Sequence, residues 1–386
     1  MGALPLFDLD LDLERREDVL IPCESATRIV IIDPAFVGDV VFDAPLVRWL
    51  RARRPAAHLG LVVRPPAEGV ARRVAGLDAV HVYDKRGADR GFRGLRRVAR
   101  VLADARYDVA LIPHPSVRSV LLARAARIPR RVGIGQAWVA RRGLTNALRL
   151  VPGDTFVGDR MRLGAWLLGL SAEDVEPRGD VALTKISPAS EDLAGALAAK
   201  VARRADVSPQ RAQVGLVLGS NWATKRWPVE NAARLILRLH QSGVSTVLLG
   251  SDAERTLVSA MERACPEVRG LTVDGMGGTL EMLIDRIAAC DAFVAGDTGP
   301  LHIARALGVP VVALFGPTPE GRHRFLARDI VLTNPMDCRP CSKHGDTRCP
   351  LGHHRCLRDL SSDVVFAAVH EVLDRSDRRR GHGEIE

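Results

Sequence analysis

Short apolar runs alternate with longer amphipathic stretches along most of the chain. In the first half, RIVIID, HLGLVV, AVHVYD and DVALIP are each followed by a stretch rich in Arg, Ala and Leu, and RRVGIG adds a fifth run. The pattern restarts near residue 212 with QVGLVLG, STVLLG, GLTVDG, DAFVAGD and PVVALFG. Such repeats predict βα units, which build mostly parallel sheets covered by helices on both faces. The sequence therefore predicts two doubly wound, Rossmann-like α/β domains facing across a cleft.

The strand pattern weakens between about Val151 and Ala212, where VEPRGDVALTKISPAS has the composition of a linker. We therefore expect an N-terminal extension (1–27), a first domain with its linker (28–190), a second domain with a cysteine-rich loop (191–360) and a C-terminal helix with a tail (361–386). In this last segment, one face of a helix from Ser361 to about Arg375 is apolar. The helix should dock by that face, whose members are Val365, Val369, Val372 and Leu373.

Positive charge is concentrated in one region of a chain whose formal net charge is +9. Between Lys85 and Arg149 there are 16 Lys and Arg residues against three acidic residues. This excess favours a phosphate-bearing partner, either an anionic membrane surface or an anionic glycolipid; solvated helix faces in an Arg-rich chain are the plain alternative. Aromatic residues make up only 4% of the chain and are not interleaved with the basic ones. Nucleic acid is therefore not the expected partner.

The sequence has no membrane-spanning or secretory signal pattern. No apolar run approaches the roughly 18 residues that indicate a spanning helix. The N-terminal stretch MGALPLFDLDLDLERRED is acidic and lacks both the basic start and the uninterrupted apolar core of a secretory signal. We therefore expect a cytoplasmic protein, with at most a peripheral contact with the inner membrane.

A loop suited to phosphate follows the first strand of the second domain, from Gly219 to Pro228. Its small and hydroxylated residues can offer backbone N–H groups and hydroxyls, and Lys225 adds a cation. The alternative is an ordinary connection in which Trp227 is a packing plug and Pro228 opens the helix.

A second phosphate-compatible loop runs from Gly296 to His302, where a strand passes into a helix. Thr298 and Gly299 can direct free amides from a helix N-terminus at a pyrophosphate. Taken singly, Asp297 is compatible with a plain helix cap and His302 with a buried histidine. Two such loops at strand ends of one domain argue against both being plain structural connections, and they favour a phosphate-binding site.

In the first domain, Asp39 follows Val37 and Gly38 in the loop after the first strand. It should stand in the first turn of the next helix and face the cleft. The helix dipole favours its ionised form, which can accept a proton at neutral pH. Asp33, in the same loop, is a competing candidate base.

These motifs together resemble glycosyltransferase family 9, the heptosyltransferase-like enzymes of lipopolysaccharide core assembly, which have the GT-B fold. The resemblance runs from about Arg28 to Leu373. It rests on VGDVV with a following Pro (Val37 to Pro45), SNWATKRWP (Ser220 to Pro228) and GDTGPLHIARALGVPVVALFGPT (Gly296 to Thr318). It implies an acceptor-side first domain and a nucleotide-sugar donor domain second.

By this resemblance Asp39 is the general base and Lys225 serves the donor phosphates. The other donor-binding residues that it implies are Ser220, Thr224, Asp297, Thr298, Gly299 and His302 around the diphosphate and sugar, and Glu254 and Met276 to Leu280 around the nucleoside. Many members carry a polar, usually serine, pair before the Gly-Asp step, where this chain has Ala35 and Phe36. That difference concerns the acceptor more than the chemistry.

The resemblance implies an inverting, metal-independent transfer of a sugar, a heptose from ADP-heptose, to a lipopolysaccharide core or related envelope glycolipid, with no cofactor required. Two alternatives stay open. A nucleotide-sugar epimerase would act on the donor without an acceptor, and a nucleotide-sugar-binding protein would bind it without turnover.

Four of the seven cysteines cluster in the pattern C-x2-C-x7-C-x6-C within the cysteine-rich loop, residues 338–356. Four thiolates can build a tetrahedral zinc site, although the second pair lacks the short spacing of a zinc ribbon. Reduced packing thiols and disulfides are the alternatives, and a reducing cytoplasm disfavours disulfides. The sequence leaves a structural zinc ion open; its candidate ligands are Cys338, Cys341, Cys349 and Cys356.

Overall fold

A computed structural model describes residues 26–134, 142–148, 155–170 and 212–382. Most of the predicted N-terminal extension, Cys23 and most of the predicted linker lie outside the described residues. Among the helices in the described ranges, none is both long and apolar enough to cross a bilayer.

The first lobe is built on a six-stranded parallel sheet in the order β3-β2-β1-β4-β5-β6. Its strands are β1 (Arg28–Ile32), β2 (His58–Val63), β3 (Ala79–Val82), β4 (Val109–Ile112), β5 (Arg130–Ile134) and β6 (Asn146–Leu148). Its described helices are α1 (Val37–Arg53), α2 (Glu68–Ala71), α3 (Gly91–Asp104), α4 (Val117–Ala125) and α5 (Phe156–Leu167).

The second lobe repeats this arrangement in the order β12-β11-β10-β7-β8-β9, again with parallel pairs throughout. Its strands are β7 (Gln213–Val217), β8 (Ser245–Gly250), β9 (Thr272–Met276), β10 (Ala292–Gly296), β11 (Val311–Phe315) and β12 (Ile330–Thr333). Its helices are α6 (Val229–Gln241), α7 (Arg255–Ala264), α8 (Leu280–Ala288), α9 (Gly299–Ala306), α10 (Arg355–Arg358) and α11 (Ser362–His382).

Each sheet reverses its winding direction once, between β1 and β4 in the first lobe and between β7 and β10 in the second. In open parallel sheets, ligands bind beyond the carboxyl ends of the strands at such switch points. The loops after these four strands, together with the first turns of the helices that follow, contain Asp33 and Asp39, His114, Ser220 to Lys225, and Asp297 to Gly299. The topology therefore brings most of the candidate residues to the two switch points.

One apolar cluster continues from the first lobe into the second. It joins side chains of α1 and α5 to side chains of α8 and α9, among them Leu46, Trp166, Ile284 and Leu301. Two ion pairs also cross between the lobes: Arg73 with Asp285 at 2.8 Å, and Arg322 with Asp159 at 2.6 Å. The lobes therefore share a packed junction next to the switch points.

The predicted fold class is confirmed, and all ten predicted strands are present. The structure adds the two edge strands β6 and β12, and it adds α5 in a region where the sequence pattern weakens. The predicted C-terminal helix is α11, and it packs against α6 of the second lobe. The predicted docking residues Val365, Val369, Val372 and Leu373 are all buried there.

Candidate functional site

Three aspartates of the first lobe surround one buried arginine, Arg160 of α5. Its guanidinium donates to Asp43 Oδ1 at 2.6 Å, to Asp33 Oδ2 at 2.9 Å and to the backbone oxygen of Asp39 at 3.1 Å. The carboxylate of Asp39 is 3.9 Å from the same guanidinium. His114, after β4, adds a contact of its Nδ1 to Asp33 at 3.3 Å.

The buried aspartates differ in their ionisation. Burial alone would raise the pKa of Asp33, but the charges and hydrogen bonds of His114 and Arg160 outweigh it and lower this pKa. Burial raises the pKa of Asp43 well above its usual value, and the attraction of Arg160 does not offset this. Asp33 is therefore the ionised partner of Arg160, and Asp43 is the better candidate for a protonated carboxyl.

Asp39 stands in the first turn of α1, where the sequence predicts it. Its Oδ2 accepts the backbone N–H of Phe36 at 3.0 Å, and its Oδ1 lies 4.0 Å from His114 Nε2. Its side chain remains 21% exposed, whereas that of Asp33 is fully buried. Asp39 is therefore better placed than Asp33 to meet an acceptor hydroxyl.

A group of cations lies beside the loop that carries Asp39. Lys85 Nζ donates to Pro34 O at 2.7 Å, and Arg64 lies 5.1 Å above the ring of Phe36, which is half exposed. Burial, followed by the positive charges of its basic neighbours, lowers the pKa of Lys85. We call this group the cationic rim, and its members are Arg64, Lys85, Arg86 and Arg118.

The second lobe centres on Asp297, which follows β10. Its Oδ2 lies 2.5 Å from Lys225 Nζ and accepts a hydrogen bond from Thr318 Oγ1 at 2.9 Å. Its Oδ1 lies 3.4 Å from His302 Nε2 and 3.7 Å from His323 Nε2. The N-cap of α9 is Thr298, so the interpretation of Asp297 as a plain helix cap is wrong.

Burial and neighbouring charges fix the ionisation states here. Burial would raise the pKa of Asp297, but its bond to His302 and the charges of His323 and Lys225 hold it far below its usual value. Burial lowers the pKa of His302, and burial together with His302 lowers that of His323 to about 3. At neutral pH Asp297 is therefore ionised beside two neutral imidazoles, and it pairs with Lys225.

Lys225 reaches Asp297 from the loop after β7. The backbone oxygen of Ser220 accepts hydrogen bonds from Nε and Nη2 of Arg226, at 2.9 and 2.8 Å. These two bonds fold the loop back on itself. Thr224 is buried, and its hydroxyl donates to Asp346 O at 2.9 Å and accepts Asp346 N–H at 2.8 Å. A nucleotide-sugar donor could contact the Thr224 hydroxyl directly only if these two hydrogen bonds were broken.

The end of this loop, at Trp227 and Pro228, has the packing role that the sequence offered as the alternative to phosphate binding. Trp227 is buried and its Nε1 donates to Leu360 O at 2.9 Å, while Pro228 directly precedes α6. The loop therefore joins a packing role at its end to a charged side chain at its centre.

Two of the three nucleoside candidates are neighbours. Glu254 accepts both N–H and O–H of Ser251, at 2.7 and 2.9 Å. A Cβ at Gly250, whose φ is +154°, would lie 2.7 Å from Glu254 Oε2 and 3.1 Å from Met276 Cε, so this glycine lets both side chains approach the chain. Leu280 begins α8 and packs against the large apolar cluster.

The N-termini of α1 and α9 meet between the lobes. A Cβ at Gly38 would lie 3.1 Å from His302 Cδ2 and 3.8 Å from the Cα of Gly299. Phe42 of α1 contacts both clusters: its ring lies 5.7 Å from the Arg160 guanidinium and, tilted by 57°, 4.7 Å from the His302 ring. The residue next to Asp39 in the chain therefore touches the helix that presents Thr298 and Gly299.

Asp297, His302 and His323 are the residues in the described ranges that bring three ligand atoms within 4.8 Å of one another. Their arrangement is a poor metal site for two reasons. Lys225 already neutralises Asp297, and Nδ1 of each histidine has no hydrogen-bond partner among the described residues, whereas ligating histidines usually donate this group.

The described cysteines, including Cys338, Cys341, Cys349 and Cys356, are free thiols.

Sequence reasoning missed five residues of the two clusters: Asp43, His114, Arg160, Thr318 and His323. Thr318 ends the quoted GPT motif after β11, so its position at a strand end was a usable signal. Arg160 lies between Asp159 and Arg162 in the charged part of α5, and no local pattern shows that it turns inward to Asp33.

The family model for glycosyltransferase family 9 (heptosyltransferase) matches residues 95–351. The chain is 29% identical over 369 residues to lipopolysaccharide heptosyltransferase 2 of Salmonella typhimurium, covering 90% of this chain and 98% of that protein.

Two solved structures have the same fold. The structure of ADP-heptose LPS heptosyltransferase II from Escherichia coli aligns with a TM-score of 0.74 and 23% identity, covering 91% of this chain and 99% of that one. A glycosyl transferase family 9 structure from Veillonella parvula aligns with a TM-score of 0.78 and 22% identity, covering 90% and 98%. The chain thus belongs to glycosyltransferase family 9 and is a glycosyltransferase of the heptosyltransferase type.

Proposed function

We propose that this enzyme transfers a heptose from ADP-heptose to a lipopolysaccharide core or related anionic glycolipid, with inversion at the anomeric carbon. The names of its relatives support the donor and acceptor classes. The observation that carries the proposal is the contact between the N-termini of α1 and α9. It sets the partly exposed carboxyl group of Asp39 in one lobe beside a diphosphate-compatible helix end of the other.

In this proposal the first domain (28–190) holds the acceptor and the second (191–360) holds the donor. Asp39 takes the proton from the acceptor hydroxyl as that oxygen attacks the anomeric carbon. Lys225 and the amides near Thr298 and Gly299 stabilise the charge that develops on the leaving diphosphate. The bond to the diphosphate oxygen breaks as the new glycosidic bond forms, which inverts the configuration.

The remaining donor-site residues take supporting roles. Asp297 holds the side chain of Lys225 in place. Because His302 and His323 are neutral, the ammonium of Lys225 is the cation of this cluster that can bind the diphosphate. The hydroxyl of Thr298 is buried without a partner in the described chain, and a donor oxygen would satisfy it. We propose that Ser220 and Thr224 shape the phosphate loop, and that Glu254, Met276 and Leu280 border the nucleoside.

Lys225 also supports a transfer that requires no divalent metal. Its ammonium lies 2.5 Å from Asp297 Oδ2, so it can neutralise this carboxylate, and in this proposal also the diphosphate, without a divalent ion. A fixed cation of this kind provides electrostatic stabilisation without an ion.

The cationic rim supports an anionic acceptor. Arg64 Nε is buried and has no hydrogen-bond partner in the described part of the chain. The carboxylates whose charges act on Arg64 are those of Asp39 and Asp84, and the oxygens of Asp84 already accept the N–H groups of Gly87 and Ala88 at 2.9 Å. A phosphate or carboxylate of the acceptor would compensate this charge beside the base.

We propose a peripheral contact with the cytoplasmic face of an anionic membrane through α3 and α4, which pack together. Four of the seven large hydrophobic side chains that are exposed in the described residues lie on these helices: Phe92, Val101, Val117 and Leu121. Exposed arginines flank them. Binding to anionic vesicles should weaken as salt is raised, and binding that is equal at low and high salt would contradict this contact.

The function is tested with purified protein and a panel of nucleotide-diphosphate sugars, with and without a purified core glycolipid. We expect ADP release from ADP-heptose that depends on the acceptor. Consumption or isomerisation of the donor without acceptor would support the epimerase alternative. Tight donor binding with no turnover would support the binding-protein alternative.

A further inference from the structure

Asp33 and His114 lie side by side at the carboxyl ends of two neighbouring strands. Asp33 follows β1 and His114 follows β4, and these strands pair in parallel at the switch point of the first sheet. His114 stands between Pro113 and Pro115, and the two rings restrict the backbone on both sides of it. The turn that carries its imidazole therefore has little conformational freedom.

A buried carboxylate orients this imidazole. Both carboxylate oxygens of Asp33 lie 3.3 Å from His114 Nδ1, and the side chain of Asp33 is fully buried. Arg160 donates to the same carboxylate at 2.9 Å and helps to keep it ionised. An ionised carboxylate only accepts hydrogen bonds. In the neutral imidazole Nδ1 therefore carries the proton, and Nε2 keeps its lone pair.

The Nε2 atom of His114 faces Asp39. It lies 4.0 Å from Asp39 Oδ1, and the other oxygen, Oδ2, accepts the N–H of Phe36 at 3.0 Å. This gap exceeds a hydrogen bond by about 1 Å, and catalytic hydrogen bonds commonly tighten when substrate binds. The side chain of His114 is 44% exposed, so a proton that reaches it can pass on to water.

An imidazole beside Asp39 would make the proton transfer more favourable. A free imidazole holds a proton more tightly than a free carboxylate. General-base catalysis is most effective when the group that finally holds the proton titrates near the working pH. A protonated His114 would also lie between the carboxylates of Asp33 and Asp39. Arg160 offsets part of this attraction, because it also pairs with Asp33.

We propose that His114 receives the acceptor's proton from Asp39, and that Asp33 is the positioning residue for His114. The inference rests on the proposed function, because it adds a second proton carrier to the same transfer. The acceptor oxygen attacks the anomeric carbon with a lone pair, its O–H electron pair stays on that oxygen, and the proton passes to Asp39 Oδ1. The proton then moves to His114 Nε2, which restores the carboxylate of Asp39, and from there to water.

His114→Ala tests this step, since a half-exposed side chain can be removed without opening a buried cavity. We expect kcat for acceptor-dependent ADP release to fall about tenfold with both KM values unchanged, because Asp39 still accepts the first proton. Imidazole added to the assay should raise the kcat of this variant about fivefold, because it supplies the missing proton carrier. Pyrazole has the same size and shape but binds protons far more weakly, so it should not restore turnover.

Two controls separate the proton role from a loss of structure. His240→Ala removes an exposed imidazole of α6 and should keep the wild-type kcat with or without added imidazole. In the double variant Asp39→Asn, His114→Ala, imidazole should restore nothing, since the first proton acceptor is then missing. Thermal melting curves compare the folded state of each variant with that of the wild type.

Asp33→Asn tests the positioning role. It should lower kcat about tenfold in the wild-type background and have little further effect in His114→Ala, because residues that act as a unit are not additive. Independent, additive losses would contradict the positioning role. The imidazole experiment decides the role of His114 whether or not this buried variant folds.

Three results would overturn the proton transfer to His114: a His114→Ala enzyme with wild-type kcat, equal restoration by imidazole and pyrazole, or restoration by neither. All three leave the proposed function intact, because that function depends on Asp39 and on turnover by the wild-type enzyme. A wild-type enzyme that does not transfer heptose to an acceptor would instead remove both.

Discussion

The first lobe gathers three aspartates around one arginine, whereas the second gathers a lysine, two histidines and a threonine around one aspartate. Both clusters stand at the switch point of a six-stranded sheet with the same winding. The sheet therefore determines where polar groups meet, and the loop residues determine which charge results.

This difference matches what each half of a transfer reaction requires. The first cluster uses Arg160 to hold the buried side chains of Asp33 and Asp43 and leaves the carboxyl group of Asp39 partly exposed. The second uses Asp297 to hold Lys225 and leaves a cation beside a helix N-terminus. Removing the carboxylate of Asp39 and removing the ammonium of Lys225 should therefore affect different steps of the transfer. Three substitutions and one change of pH test this comparison between the lobes.

The largest effect should come from Asp39→Asn, which keeps the shape of the side chain and removes the base. We expect kcat to fall about 10²- to 10⁴-fold with little change in donor affinity. The matched control is Asp104→Asn, an exposed aspartate at the end of α3 in the same lobe. Steady-state kinetics with saturating acceptor and titrated donor measure both quantities. A fully active Asp39→Asn enzyme would remove the base assignment.

Lys225→Ala should lower kcat/KM about 10²- to 10³-fold and also weaken donor binding. The cation acts on the bound diphosphate and more strongly as that group gains charge. Lys343→Ala, which removes an exposed lysine of the cysteine-rich loop, should be nearly neutral. Calorimetric titration with ADP measures the contribution of Lys225 to binding, and kinetics measures its contribution to the reaction step. Loss of turnover at unchanged ADP affinity would contradict the proposal that Lys225 also stabilises the bound diphosphate before the reaction.

Arg64→Gln tests whether the first lobe binds an anionic group of the acceptor. We expect the KM for a phosphorylated acceptor to rise about tenfold, because a charge-assisted hydrogen bond is lost. The KM for the donor should stay unchanged. Arg72→Gln, which removes an exposed arginine paired with Glu68, serves as the control. Equal effects on a phosphorylated and a dephosphorylated acceptor would argue against an anion site at the cationic rim.

The smallest effect is a pH dependence of stability from the neutral histidines of the second lobe. Their folded pKa values lie below the unfolded value of 6.5, so the unfolded chain takes up protons first as pH falls. Lowering the pH from 7.5 to 5.5 should therefore cost about 1 kcal/mol of unfolding free energy for His323, and the lowered pKa of His302 should add a loss of the same sign. Urea denaturation at these two pH values measures the loss. His323→Asn should reduce it and His240→Asn, on an exposed face, should not; equal slopes in all three proteins would contradict this.

Local sequence patterns predict the parts of this molecule that depend on local order. Alternating apolar runs predict ten strands, and the placement of Asp39, Lys225 and Asp297 at strand ends follows from the rule for switch points. The short edge strand β6 has only three residues, too few for a periodic signal. The contacts of Arg160 with Asp33 and Asp43 join positions 127 and 117 residues apart, which no local pattern encodes.

The same limit applies to the second cluster. The motif around Asp297 predicts a helix end beside a phosphate, but the hydrogen bond from Thr318 and the proximity of His323 depend on how β10 and β11 lie side by side. For Thr224 the local pattern suggests a contact that the structure does not show. Its position in the loop suggests a phosphate contact, whereas its hydroxyl donates to the backbone oxygen of Asp346 in the cysteine-rich loop.

The most direct test of the central claim is the anomeric configuration of the product. A base in one lobe and a cation in the other, with the bond to the diphosphate breaking as the new bond forms, predict a linkage opposite in configuration to the donor. Nuclear magnetic resonance of the product from ADP-heptose and a purified core acceptor measures this, and we expect inversion. A product with retained configuration would contradict direct displacement assisted by Asp39.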